Sequence, residues 1–224
     1  MVNMQDLARN LAAVRERIVR AADRARRDPS QILLLAVTKV FPFDAIRAAY
    51  DLGLREFGEN YVQEFEGKAP LVSDLAGSRF HLIGHLQSNK SVRAAELFQT
   101  IQTVDSAKLA RRLDAVGRPL DVMIEVKLGD EEAKSGVDPA GLPELLLAIR
   151  ACPNLQLRGF MTMPPWSDDP EAPRPVFRRL RELAQEHGVD GLSMGMSNDL
   201  ETAIEEGSTC VRVGTALFGK RTKP

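Results

Sequence analysis

Eight short apolar runs, each followed by a segment of helical periodicity or a tight turn, limit how this chain can fold. The runs lie at residues 32–38, 55–58, 80–83, 100–104, 120–126, 155–160, 191–193 and 210–213. Between them, residues 43–52, 61–68, 90–98, 106–116, 142–152, 175–187 and 199–206 read as amphipathic helices. Such alternation points to parallel strands, because parallel neighbours need a crossover long enough to return the chain to its starting edge. Eight units within 224 residues predict an α/β fold, a single (β/α)8 barrel of the TIM type spanning residues 1–224. An open doubly wound sheet fits less well, since no G-x-G-x-x-G follows the first run. An extra helix precedes the barrel, where Leu7, Leu11, Val14 and Ile18 form one apolar stripe. Asp28-Pro29-Ser30 is expected to end it, because proline disfavours helical geometry in the residue before it.

Charge and cysteine content narrow the range of partners. Thirty basic side chains nearly balance thirty-one acidic ones, so no bulk field favours nucleic acid or an anionic membrane. Cys152 and Cys210 form no C-x-x-C and no zinc-like spacing, so they read as buried thiols and no metal is expected. No basic-then-apolar leader opens the chain, and no apolar run approaches the roughly 20 residues of a membrane helix. A cytoplasmic protein with a small-molecule partner is expected.

Residues able to do chemistry gather where the barrel strands end. Lys39 closes the apolar run Ile32-Leu33-Leu34-Leu35-Ala36-Val37-Thr38, at the strand edge that faces the ligand crevice in parallel α/β folds. Apolar surroundings favour its neutral amine, a nucleophile toward aldehydes, although many strand-end lysines are solvated caps. Ser193-Met194-Gly195-Met196-Ser197-Asn198-Asp199 follows the seventh run, and Arg212-Val213-Gly214-Thr215 leaves the eighth. Small residues, hydroxyls and helix starts at those two places read as a phosphate cradle. Helix capping is the plainer account of Asn198 with Glu201. Barrel closure would put the first strand beside the eighth, and the amine beside the cradle.

An amine with a phosphate cradle has two chemical meanings. Lys39 could form a Schiff base with a phosphorylated sugar, as barrel aldolases do, or with pyridoxal 5′-phosphate. Arg212 bears on that choice. At period two it shares a face with Gly214, so its guanidinium could meet a pyridine nitrogen and, keeping its own proton, leave that nitrogen unprotonated. A salt bridge from Arg212 to Glu125 is the competing structural reading. His81 and His85 read as structural groups at strand ends, and Glu59 as a solvated or ion-paired carboxylate. The four-proline stretch at residues 163–173, which carries Trp166, is expected to lie over the barrel mouth.

The motifs taken together resemble the pyridoxal phosphate homeostasis (YggS/PROSC) family. The likeness rests on Ala36-Val37-Thr38-Lys39, Phe57-Gly58-Glu59-Asn60-Tyr61-Val62-Gln63-Glu64, His81-Leu82-Ile83-Gly84-His85-Leu86-Gln87-Ser88-Asn89-Lys90, Lys134-Ser135-Gly136 and Gly159-Phe160-Met161-Thr162-Met163-Pro164. It is densest over residues 192–221. Val40-Phe41-Pro42 departs from it, since the family usually places a polar or basic residue before that proline. The resemblance implies the fold of the N-terminal barrel of alanine racemase, with the cofactor held as a Schiff base on Lys39. It further implies phosphate contacts from Ser197, Gly214 and Thr215 with backbone help from Met196. Arg212 would then face the pyridine nitrogen, and Asn60 and Met163 would lie near the ring. Lys134 is a candidate second amine for cofactor in transit. The chain ends at Pro224 just past the barrel, so the β-rich second domain of alanine racemase, with its catalytic tyrosine, is expected to be missing. The implied role is a monomeric carrier or regulator of pyridoxal 5′-phosphate that hands it to apoenzymes, without catalytic residues of its own. A weak racemase or an aldolase-like enzyme on the same barrel is the alternative.

Overall fold

A computed structural model describes residues 3–129 and 135–219. Eight parallel strands close in sequence order: β1 (Leu33–Val37), β2 (Glu56–Glu59), β3 (Arg79–Leu82), β4 (Thr100–Val104), β5 (Leu120–Glu125), β6 (Leu155–Met161), β7 (Leu192–Ser193) and β8 (Cys210–Val213). The seam pairs Leu33 with Cys210, Leu35 with Arg212 and Ala36 with Val213, which places β1 beside β8. The expected (β/α)8 barrel is therefore the observed one.

Nine helices occur among the described residues: α1 (Met4–Arg24), α2 (Phe43–Asp51), α3 (Val62–Lys68), α4 (Ser91–Leu97), α5 (Ala107–Asp114), α6 (Leu142–Arg150), α7 (Arg174–His187), α8 (Leu200–Glu205) and α9 (Thr215–Phe218). Their apolar faces meet the outward side chains of the strands in one large core that includes Phe57, Phe65, Phe98, Phe160 and Phe177. The barrel interior is different. A small apolar plug of Leu35, Val37, Ile83 and Cys210 lines the seam side, while Arg212, Gln102, His81 and Ser193 bring buried polar groups inward. Period-two alternation explains the split, because successive side chains on a strand point to opposite faces.

Helix α1 buries Leu7, Leu11, Val14 and Ile18 as the stripe predicts. Its end does not follow the prediction. The helix stops at Arg24 with Ala25 as its cap, Arg26 takes a left-handed φ of 54°, and Pro29 instead starts a 3-10 turn capped by Asp28. Bonds to the barrel make the earlier stop useful: Arg27 donates to the carbonyls of Ile204 and Ser208 at 2.8 Å each. Arg17 forks onto Glu201 at 2.6 and 2.7 Å, and Asn10 donates to the Leu217 carbonyl. The extra helix thus buckles onto α8 and α9, the elements that follow β7 and β8. No helix among the described residues is long and apolar enough to cross a membrane.

Candidate functional site

A cavity of about 540 Å³ opens at the C-terminal end of the barrel, over the β1–β8 seam. Its walls include all eight residues singled out from the sequence: Lys39, Asn60, Met163, Met196, Ser197, Arg212, Gly214 and Thr215. Strand order brings them together, since they leave β1, β2, β6, β7 and β8 at the same edge. Val37, Ile83, Trp166, Ser167, Asn198, Asp199 and Ala216 complete the lining. Sequence reasoning missed the apolar walls Val37 and Ile83, whose only signal was their place at the ends of β1 and β3.

Lys39 stands half-buried on the turn after β1. The Phe41 amide donates to the Thr38 carbonyl at 3.1 Å and closes that turn, and the Phe41 ring rests on Phe218, 5.2 Å between centroids. On the adjoining wall, Asn60 follows β2 with its side-chain oxygen buried and, among the described residues, without a hydrogen-bond partner. Gly84 makes room there, because a Cβ at that position would fall 2.2 Å from the Asn60 carbonyl oxygen.

Arg212 is held from below by a chain of hydrogen bonds that crosses the barrel interior. Its Nη1 donates to Ser193 Oγ at 2.7 Å and its Nη2 to the Thr162 carbonyl at 2.9 Å. Ser193 then donates to Gln102 Oε1 at 2.7 Å. Gln102 Nε2 meets His81 Nδ1 at 3.0 Å, and His81 Nε2 meets Glu56 at 2.6 Å. The donors assign one direction throughout: with Nδ1 accepting from Gln102, the ring proton of His81 sits on Nε2, facing Glu56. His81 is therefore a structural group, as the sequence reading had it. Burial pulls the Arg212 pKa down, yet a guanidinium keeps its charge across the ordinary pH range. The alternative bridge from Arg212 to Glu125 is not the arrangement found, because the guanidinium is directed to Ser193 and Thr162.

The two loops proposed as a cradle are tied to one another. Ser197 Oγ accepts the Ala216 amide at 3.1 Å, and the Arg212 amide donates to the Gly195 carbonyl at 2.9 Å. Gly195 adopts a φ of 92°, and a Cβ there would come within 2.4 Å of Ala203 Cβ, so only glycine fits. Asn198 does not act as the helix cap. Asp199 stands at the N-cap position but caps no helix amide with its side chain; its carboxylate turns back to accept the Met196 amide at 2.6 Å, while Asn198 Nδ2 reaches the Ser167 carbonyl at 3.0 Å. That second bond ties the proline-rich loop to the cavity rim. Trp166 lines the rim yet remains 73% exposed, so the loop borders the mouth without covering it.

Met163 also lines a neighbouring cavity of about 220 Å³ with Glu125, Lys127 and Ser135. Glu125 is buried; among the described residues its Oε1 meets Ser135 Oγ at 3.4 Å and its Oε2 has no hydrogen-bond partner. Burial pushes its pKa up. Lys134 lies outside the described residues. His85 is exposed and stands 3.8 Å from Asp105.

Comparison with known proteins places this geometry among relatives. Residues 9–222 match the family model of the alanine racemase N-terminal domain. The pyridoxal phosphate homeostasis protein of Pseudomonas aeruginosa is 48% identical over 224 residues, with 97% of each chain covered. The protein of that name from Escherichia coli K12 is 44% identical over 236 residues, covering 97% of this chain and 98% of the relative. Among solved structures, PipY of Synechococcus elongatus with PLP bound superposes at a TM-score of 0.83, with 38% identity, 95% of this chain and 100% of PipY. Alanine racemase from Corynebacterium glutamicum shares the fold at a TM-score of 0.71 and 19% identity; 98% of this chain covers 62% of that one.

Proposed function

Because the chain belongs to the pyridoxal phosphate homeostasis family, which is built on the alanine racemase N-terminal domain, we propose that it binds pyridoxal 5′-phosphate in the seam cavity and holds it covalently through Lys39. The observation that carries this reading is the meeting of an amine, a guanidinium and a small-residue hydroxyl cradle in one cavity of about 540 Å³. That volume lies within the roughly 300–1,000 Å³ usual for small-ligand sites. The donor set fits the cofactor as well. Asn60 offers a buried oxygen still lacking a hydrogen-bond partner among the described residues, and the cradle offers hydroxyls beside glycines. The cofactor supplies an aldehyde that condenses reversibly with an amine, releasing water, and a phosphate that anchors it.

Each residue then has a defined task. Ser197, Gly214 and Thr215 hold the phosphate with backbone help from Met196, and Asn60 and Met163 flank the ring. Arg212 faces the ring nitrogen as a donor fixed by Ser193 and Thr162, so it supplies no acidic proton and supports weak electron withdrawal at best. A carrier of this kind keeps a reactive aldehyde from stray amines and releases it to apoenzymes inside the cell. We assign it no catalytic residue, read residues 1–224 as one binding domain, and expect it to act as a monomer.

The absorption spectrum of the purified protein, taken before and after borohydride and followed by peptide mass mapping, tests the proposal. Visible absorbance that borohydride removes, with the added mass on the peptide holding Lys39, is the expected result. Lys39→Ala should abolish covalent capture while the cradle retains weaker, dialysable binding. Protein that stays colourless and unlabelled after incubation with pyridoxal 5′-phosphate would overturn it.

A further inference from the structure

Beneath Lys39 lies a buried ion cluster that the proposed binding role does not use. Lys68, only 8% exposed at the end of α3, places its Nζ 2.9 and 3.1 Å from the two carboxylate oxygens of Glu59 and 2.6 Å from Glu64 Oε1. The same Nζ donates to the Thr38 carbonyl at 3.0 Å. Glu59, fully buried at the end of β2, accepts the Thr38 hydroxyl at 2.7 Å. Glu64 accepts the Val40 amide at 2.6 Å. Every one of these bonds to the first turn lands on a residue adjacent to Lys39.

The turn needs such restraint. Val40 takes a φ of 63°, in the left-handed region where a β-branched side chain is an outlier. Its side chain is 61% exposed, so burial of its own apolar surface does little to hold it there. Conformations of this kind persist only where surrounding contacts over-determine them. Here the contacts come from one short helix: α3 supplies Glu64 and Lys68, and Lys68 fixes Glu59.

We propose that Glu64 and Lys68, with Glu59, are positioning residues that clamp the turn from Thr38 to Val40 and so aim the Lys39 amine into the cavity. None of the three lines the cavity; they act through the backbone on either side of the lysine. The proposal rests on the assignment of Lys39 as the cofactor's tether. It adds that the strain at Val40 is what the clamp opposes. Losing the Glu64 acceptor would let Val40 relax to an ordinary negative φ and swing Lys39 from its place. Glycine at position 40 would remove the need for the clamp, because it adopts positive φ without steric penalty.

Glu64→Ala and the double variant Glu64→Ala/Val40→Gly test this. Glu64 is the choice because its removal leaves Lys68 paired with Glu59, so no buried charge is stranded. Two readouts are taken. Amide hydrogen exchange at Val40, measured without cofactor, should speed up in Glu64→Ala; an unchanged rate shows that no clamp exists and overturns the inference even if cofactor binding fails. The fraction of chain labelled at Lys39 by pyridoxal 5′-phosphate and borohydride, at sub-saturating cofactor, should fall roughly ten-fold in Glu64→Ala and recover in the double variant. Equal labelling in wild type and Glu64→Ala, or a double variant no better than the single, would also overturn it. Wild-type protein unlabelled at Lys39 would count against the proposed function instead, leaving the exchange experiment to decide on the clamp.

Discussion

Two carboxylates close barrel strands at their C-terminal ends, Glu59 on β2 and Glu125 on β5, and they stand in opposite circumstances. Both are buried, and burial pushes the pKa of each up. Glu59 is answered: Lys68 and the Thr38 hydroxyl contact it at 2.7 to 3.1 Å. Among the described residues, Glu125 has a 3.4 Å contact to Ser135 and one oxygen without a hydrogen-bond partner. A buried charge is costly unless paired and hydrogen-bonded, and among the described residues only the β2 carboxylate has such a network around it. The network lies beneath the turn that carries Lys39, and Glu125 adjoins the smaller cavity behind Met163.

Removing Lys68 should break that contrast most severely. Lys68→Met leaves Glu59 and Glu64 facing each other without a counter-ion, and loss of one partner from a buried pair typically costs ~3–5 kcal/mol. For a chain of this length the melting temperature should fall by roughly 10 °C, read by circular dichroism. A fall of under about 2 °C would mean that the β2 cluster is no more structural than a surface pair. Glu59→Gln should cost less, about 1–3 kcal/mol, because Lys68 keeps Glu64 and the Thr38 carbonyl while one charge-assisted bond becomes neutral. Urea midpoints in the two variants should rank in that order.

The contrast between these two carboxylates was only half legible in the sequence. Apolar runs exposed the strands because a barrel strand buries both faces, and even the two-residue β7 showed itself through Leu192 and Ser193. Glycines and hydroxyls after β7 and β8 marked the cradle for the same local reason. The clamp left no such mark: Glu64 and Lys68, four apart on a short helix, resemble any exposed i,i+4 pair. What joins them to the first turn is the β1–β2 register, Ala36 on Phe57 and Val37 on Gly58, which carries Thr38 next to Glu59. Register is a long-range property, and a single sequence does not display it. The same limit hid the chain from Arg212 to Glu56, whose members come from five regions of the sequence. Asn198 and Pro29 were misread for the converse reason, since each matched a local rule that a tertiary bond or a neighbouring turn overrode.

Glu125→Gln gives the smallest effect and the only one with a favourable sign at neutral pH. The folded protein raises the pKa of Glu125 above its unfolded value of about 4.3. The native state therefore binds more protons than the unfolded state between those two values, and wild-type stability falls as pH rises through that window. Below about pH 4 the carboxyl is protonated in both states and differs little from the amide, so wild type and variant should unfold at nearly the same urea concentration. With rising pH the wild type must either hold a buried charge or spend free energy keeping the proton, whereas glutamine does neither. The variant should pull ahead as pH increases, and the gap should level off above the folded pKa. A constant gap from pH 4 to pH 8 would show that Glu125 is no harder to ionise in the folded chain than in the unfolded one, and the contrast drawn from its missing partner would fall with it.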